Sequence, residues 1–144
     1  MDIIFLGTTG VHHALVAAHI YLENLPDEKY YNLHNYANLA LEAEGAPIYI
    51  GRDKPGNRVY SLGGGKDLKM AKKSIEDLTA LLGYSSRDLL VQTITIPGDK
   101  LLAILCGIPP VLGGSLWSEL IAAVLLKSQL PDIRQKLKTI LMQQ

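Results

Sequence analysis

Residues 3–23, with the sequence IIFLGTTGVHHALVAAHIYLE, join a short apolar run to a glycine-containing turn and a longer apolar repeat. The first four residues are all apolar and end at Gly7, which is typical of a buried strand. From residue 11 onward the apolar residues recur at helical spacing, so we expect a helix over residues 11–23. A strand that leads through a tight turn into a helix is typical of α/β proteins.

The rest of the chain continues this alternation. We expect a helix over residues 33–43, a β-hairpin over residues 47–62, a helix over residues 68–82 whose inner stripe includes Leu78 and Leu82, a strand over residues 89–96, and helices over residues 99–106, 115–127 and 131–142. The predicted fold class is α/β: a small mixed sheet of about four strands, flanked by helices in three layers, with a helical C-terminal third.

Bulk composition restricts the class of protein. The chain has 144 residues, 48% of them hydrophobic, and we expect a single α/β domain over residues 1–144. Fourteen basic residues balance fourteen acidic ones, which argues against nucleic-acid binding. One cysteine and no signal-peptide pattern favour a cytoplasmic location. Residues 101–118 carry no charge, but Pro109 and Pro110 interrupt them, so no membrane span is expected.

The turn between the first strand and the first helix is the main candidate site. A helix N-terminus presents unpaired N–H groups and a partial positive charge, and glycines let a ligand approach the backbone closely. We therefore predict an anion-binding loop with Gly7, Thr8, Thr9 and Gly10 as ligand-binding residues. The alternative is a tight turn in which Thr9 only caps the helix. Neither common nucleotide-binding glycine motif is present, so the sequence leaves the cofactor unknown.

A second glycine-rich loop, residues 62–66, leads from a predicted strand into a helix. Gly64 and Lys66 are predicted to contribute to ligand binding there, because lysines at a helix N-terminus oppose the helix dipole and favour a nearby anion. The alternative is an ordinary solvated basic face, with Asp67 already balancing the lysines.

His12 and His13 lie where the first loop meets the predicted helix and, with Asp53, are the candidate catalytic residues. The ordinary histidine pKa of about 6.5 gives an imidazole charge near neutrality, which would attract an anion as the pH falls. Asp53 is expected to orient one histidine as a general base. No pair of histidines has metal-ligand spacing, so no metal site is predicted.

Two segments carry a family resemblance: residues 7–18, GTTGVHHALVAA, and residues 51–63, GRDKPGNRVYSLG. Together they resemble a bacterial family, domain of unknown function 3189, found mainly in spore-forming Gram-positive bacteria. The resemblance implies a bacterial cytoplasmic protein without a known activity. It puts forward His12 and Asp53 as shared positions.

Two hypotheses for the function remain open. The first is the binding of a phosphorylated or anionic small molecule at the first loop, with weak hydrolase or transferase activity. The alternative is a non-catalytic homo-oligomeric structural or adaptor protein. Residues 101–126, which include Trp117, are strongly apolar and predict a homodimer through the C-terminal helices.

Overall fold

The computed structural model describes residues 1–24 and 33–95, together with Pro131 and Gln135. Its strands are β1 (Asp2–Gly7), β2 (Ile48–Arg52), β3 (Arg58–Gly63) and β4 (Leu89–Thr93). Its helices are α1 (His13–Tyr21), α2 (Leu39–Glu44) and α3 (Leu68–Leu81). The predicted α/β class with four strands is confirmed.

The four strands form one mixed sheet in the order β2-β3-β1-β4. β1 pairs in parallel with both β3 and β4. β2 runs antiparallel to β3, which confirms the predicted hairpin. Because β1, β3 and β4 are parallel, they all finish at one end of the sheet, which we call the carboxyl end. The opposite end is the amino end.

α1 covers one face of the sheet and forms the main core with it. Ile3, Phe5 and Val59 pack with α1 in one buried cluster, which Leu33 joins from outside the sheet. Residues 14–18 of α1 are completely buried. A helix that is apolar around its whole circumference is expected to be enclosed in this way.

α3 lies on the opposite face, so the described elements form three layers. The backbone of Gly64 lies close to the side chains of Leu6 in β1 and Leu68 in α3. Leu6 directly follows Phe5, and successive side chains of a strand point to opposite faces. Phe5 packs under α1, and Leu6 therefore faces α3.

The outer half of α3 differs from the prediction. Leu78 and Leu82 were expected in a buried stripe, but they are 58% and 67% exposed. They line an open groove of about 500 Å³, together with Met1 and Leu89 at the amino end of the sheet. The expectation of burial is wrong because, among the described residues, none covers the outer side of this groove.

The helix predicted over residues 33–43 begins later than expected. Asn35 and Ala37 have φ angles of 68° and 55°, which a right-handed helix cannot contain. The side chain of Asn38 instead caps α2 by accepting hydrogen bonds from two N–H groups of its first turn. Gly45 ends α2 with a left-handed φ of 65°.

Most of the C-terminal third lies outside the described residues. This applies to the helices predicted over residues 99–106 and 115–127 and to the predicted dimer segment, residues 101–126 with Trp117. Pro131 and Gln135, in the last predicted helix, are helical. Within the part of the chain that the structure describes, no helix is long and apolar enough to cross a membrane.

Candidate functional site

Two connections leave the sheet side by side at its carboxyl end. β1 leads into α1 on one face, and the neighbouring strand β3 leads into α3 on the other face. Adjacent parallel strands that send their helices to opposite faces leave a crevice between the two connections, and open α/β sheets tend to bind ligands there. The candidate site is this crevice, between the first loop (residues 7–12) and the second loop (residues 63–67).

The two loops touch through the backbones of their glycines. The N–H of Gly64 donates a hydrogen bond to the carbonyl of Gly7 at 2.8 Å. A Cβ at Gly10 would lie 2.7 Å from the nitrogen of Gly63, a backbone atom that cannot easily move aside. Position 10 therefore requires glycine, and the predicted residues Gly7, Gly10 and Gly64 are brought together.

A carboxylate of the protein itself fills the crevice. Glu42, in α2, accepts hydrogen bonds at Oε2 from the backbone N–H groups of Gly10 at 2.7 Å and Val11 at 3.2 Å. The other carboxylate oxygen lies against Gly63, in the space that a Cβ would occupy there. The N–H groups in the predicted anion-binding loop thus hold an anionic side chain from the same chain.

The charge of Glu42 is only partly compensated. Its side chain is half-buried, and in the described part of the chain no lysine or arginine forms an ion pair with it. Burial raises the pKa of the Glu42 carboxyl above its ordinary value, although the hydrogen bonds from Gly10 and Val11 act in the opposite direction. The ionised carboxylate is therefore held in the crevice at a cost to the folded state.

His12 ends the first loop inside the core. Its side chain is 0% exposed, and its Nδ1 lies 2.9 Å from the Oγ1 of Thr9. Its ring meets the ring of Tyr36 edge-on, with centroids 5.6 Å apart. Of the residues that the structure describes, none forms a hydrogen bond with its Nε2. His12 therefore does not line an open cleft in this conformation.

Burial also controls the protonation of His12. It lowers the pKa of His12 to about 4, with a smaller contribution from the nearby His13. The expectation that His12 becomes charged near neutrality is therefore wrong. His13 is 2% exposed in the first turn of α1. Neither imidazole is open to a ligand.

The structure does not bring Asp53 to the histidines. Asp53 lies in the hairpin turn before β3, at the amino end of the sheet. Its carboxylate accepts hydrogen bonds from the hydroxyl of Tyr21 at 2.9 Å and from Asn57 at 2.7 and 2.8 Å. α1 runs from His13 back along the sheet to Tyr21, so Asp53 meets the far end of that helix. In this arrangement Asp53 orients neither histidine.

The other predicted residues lie around the crevice without joining its hydrogen bonds. Thr8 is half-buried in the first loop, and Lys66 is exposed in the second. Asp67 caps α3 by accepting a hydrogen bond from the N–H of Met70 at 3.0 Å, so the dipole of α3 already has an acidic partner. Across residues 1–24 and 33–95, no group of three or more His, Cys, Asp or Glu side chains has an arrangement suited to a metal ion.

Sequence reasoning missed Glu42, the residue that fills the crevice. Glu42 lies in a six-residue helix, 32 positions along the chain from Gly10. No motif relates the two positions, and only the fold brings them into contact. The signal that was available is the pair of glycine-rich loops, because loops with so little side-chain volume leave room for a group from elsewhere.

These features define a three-layer α/β protein with a glycine-lined crevice between oppositely directed connections. The chain belongs to the family described as Protein of unknown function (DUF3189), whose model matches residues 2–140. The resemblance carried by residues 7–18 and 51–63 is therefore confirmed. No curated protein and no solved structure matches the chain.

Proposed function

We propose that this protein binds an anionic small molecule in the crevice, through the backbone N–H groups of Gly10 and Val11. The observation that carries the proposal is the convergence of these two donors on one carboxylate oxygen of Glu42, at 2.7 and 3.2 Å. Two adjacent backbone donors just before a helix suit an oxygen of a carboxylate or a phosphate. The ligand oxygen takes the position of the Glu42 oxygen.

The charges around the crevice favour a ligand with one acidic group at the N–H pair. Because no described lysine or arginine pairs with Glu42, the backbone donors and the dipole of α1 are the compensation that the structure provides there. Lys66 is exposed in the second loop, three positions after Gly63. We propose that the Lys66 ammonium pairs with the second negative charge of a phosphate ligand.

The geometry supports binding more strongly than catalysis. Thr9 and His12 form a hydroxyl–imidazole pair, as a nucleophile and its base would, with 2.9 Å between Oγ1 and Nδ1. However, Thr9 is 6% exposed and His12 is 0% exposed, so neither meets a substrate in this conformation. A pKa of about 4 also leaves His12 a weak general base. The hydrolase or transferase activity is therefore the weaker part of the hypothesis.

A titration of isotope-labelled protein with inorganic phosphate and with acetate, followed by NMR, tests the proposal. The amide signals of Gly10 and Val11 should shift and saturate, whereas that of Gly56, in the hairpin turn at the amino end, should not. A ligand at 100 times its dissociation constant should also stabilise the fold by about 2.7 kcal/mol. If neither anion shifts Gly10 or Val11 at millimolar concentration, the proposal is refuted.

A pair of lysine variants tests the second contact. Lys66→Gln should weaken phosphate binding and leave acetate binding nearly unchanged. Acetate has a single negative charge, which the backbone N–H groups bind, and so has none left for Lys66. Lys69→Gln is the matched control, since Lys69 is exposed one turn further along. Equal effects of both variants would show that Lys66 acts only through the general surface charge.

A further inference from the structure

α2 is attached to the rest of the described fold by few contacts. None of its six residues is buried. Asn38 caps its first turn and Gly45 ends it, so the hydrogen bonds at its two ends are local. Within the described residues, α2 is joined to the first loop where Glu42 accepts hydrogen bonds from the N–H groups of Gly10 and Val11. A further hydrogen bond, from the Ala37 N–H to the carbonyl of Val11 at 3.0 Å, lies just before the helix. The Glu42 carboxylate is therefore the main polar link between α2 and the crevice.

A ligand oxygen and the Glu42 carboxylate cannot occupy this position together. Each backbone N–H donates one hydrogen bond, and those of Gly10 and Val11 are both directed to Oε2 of Glu42. The other oxygen fills the space left by the missing side chain of Gly63. An anion that binds these donors must first displace the carboxylate.

The chain on both sides of α2 has left-handed residues that allow a change of direction. Gly45 adopts its φ of 65° without a steric penalty. Ala37, with a φ of 55°, carries a backbone conformation that is unfavourable for a residue with a Cβ. Strain at Ala37 is relieved only if its hydrogen bond to the Val11 carbonyl also opens when α2 is released.

We propose that α2 is a ligand-operated latch: Glu42 closes the crevice when it is empty, and an incoming anion displaces the carboxylate and frees α2 from the first loop. This inference rests on the proposed anion site and adds its regulation. Glu42 sets a threshold concentration for the ligand, because every binding event has to break two charge-assisted hydrogen bonds. The position of α2 on the surface then reports whether the crevice is occupied.

Glu42→Gln tests the latch, with Glu44→Gln as the matched control. Glutamine keeps the size of the side chain but loses the charge, so phosphate and acetate should bind Glu42→Gln about tenfold more tightly than the wild type. Glu44 lies in the same helix and is exposed, and Glu44→Gln should bind both anions like the wild type. Equal affinity of Glu42→Gln and wild type would overturn the latch and leave the anion site standing.

Amide hydrogen exchange of the wild-type protein gives a second measurement that needs no variant. Saturating phosphate should speed the exchange of the α2 amides and slow that of Gly10 and Val11. Unchanged exchange in α2 at saturation would refute the latch, even with binding intact. If neither anion binds the wild type at millimolar concentration, the proposed function fails, and the latch fails with it.

Discussion

His12 should make the stability of this protein depend steeply on pH. The folded state holds His12 neutral, because burial lowers its pKa from 6.5 to about 4. The unfolded chain binds a proton at that site below about pH 6.5. Stability from the neutral imidazole is therefore complete above pH 6.5, falls as the pH drops, and is lost near pH 4. At about 1.36 kcal/mol per pKa unit, the loss of unfolding free energy over this interval is about 3 kcal/mol.

Urea unfolding of the wild type and His12→Asn, from about pH 7.5 to about pH 4, measures this contribution. Asparagine places a polar atom near the position of Nδ1, within reach of the Thr9 hydroxyl. The smaller side chain lowers stability by a similar amount at every pH. The variant should therefore start less stable than the wild type and lose less of its stability on acidification.

Two half-buried groups with shifted pKa values also affect the pH profiles, so the difference between the wild type and His12→Asn is more informative than either profile alone. Half-buried His19 also has a lowered pKa and steepens both profiles. The raised pKa of Glu42 acts in the opposite sense, since the folded state then holds its proton more tightly than the unfolded chain. His34→Asn is the control, because His34 is exposed. Parallel profiles for the wild type and His12→Asn would refute the reasoning.

Three further substitutions test other contacts. Gly10→Ala places a methyl group 2.7 Å from the nitrogen of Gly63, so unfolding free energy should fall by about 1–3 kcal/mol in urea. Ser61→Ala removes a buried hydroxyl that has no hydrogen-bond partner among the described residues, so stability should stay the same or rise by up to about 1 kcal/mol. Burial and Asp53 together raise the pKa of Tyr21 to about 12, and Asp53→Asn should lower it toward 10 in an NMR titration of the tyrosine rings.

For each of these three predictions, a specific result would contradict the reasoning. Gly56→Ala is the control for Gly10→Ala: no atom lies within 4 Å of a Cβ there, but its φ of 92° carries a backbone penalty of its own. A loss in Gly10→Ala no larger than in this control would argue against crowding. A loss above about 1 kcal/mol in Ser61→Ala would mean that the hydroxyl has a partner. An unchanged pKa of Tyr21 in Asp53→Asn would attribute the whole shift to burial.

Local pattern was enough to predict the elements that a run of apolar residues and a neighbouring turn mark in the sequence. The apolar run at residues 3–6 became β1, and the two runs around the turn at residues 53–57 became β2 and β3. The failures depend on contacts between elements. Ala37 looks helical in sequence, but its N–H donates to the carbonyl of Val11 and its φ is positive. A tertiary contact overrides helix propensity there.

The candidate site could also be predicted only in part from the sequence. The glycines of the first loop indicated a close backbone approach, and the structure has one, although the group that approaches is Glu42. The burial of His12 could not be predicted, because it depends on Tyr36 and on packing that the loop sequence does not encode. Asp53 was selected for its residue type, and the direction of α1 places it at the other end of the sheet.

Burial and hydrogen bonding act on the charge of Glu42 in opposite directions. Hydrogen bonds from backbone N–H groups stabilise a carboxylate and lower its pKa. The donors at Gly10 and Val11 act on Glu42 in that direction, but burial outweighs them and the pKa rises. The ionised carboxylate of Glu42 is therefore less stable in the folded protein than in water. A ligand that brings its own counter-charge or makes further contacts, such as one with Lys66, can offset that cost. Glu42 has no described cation with which to do so.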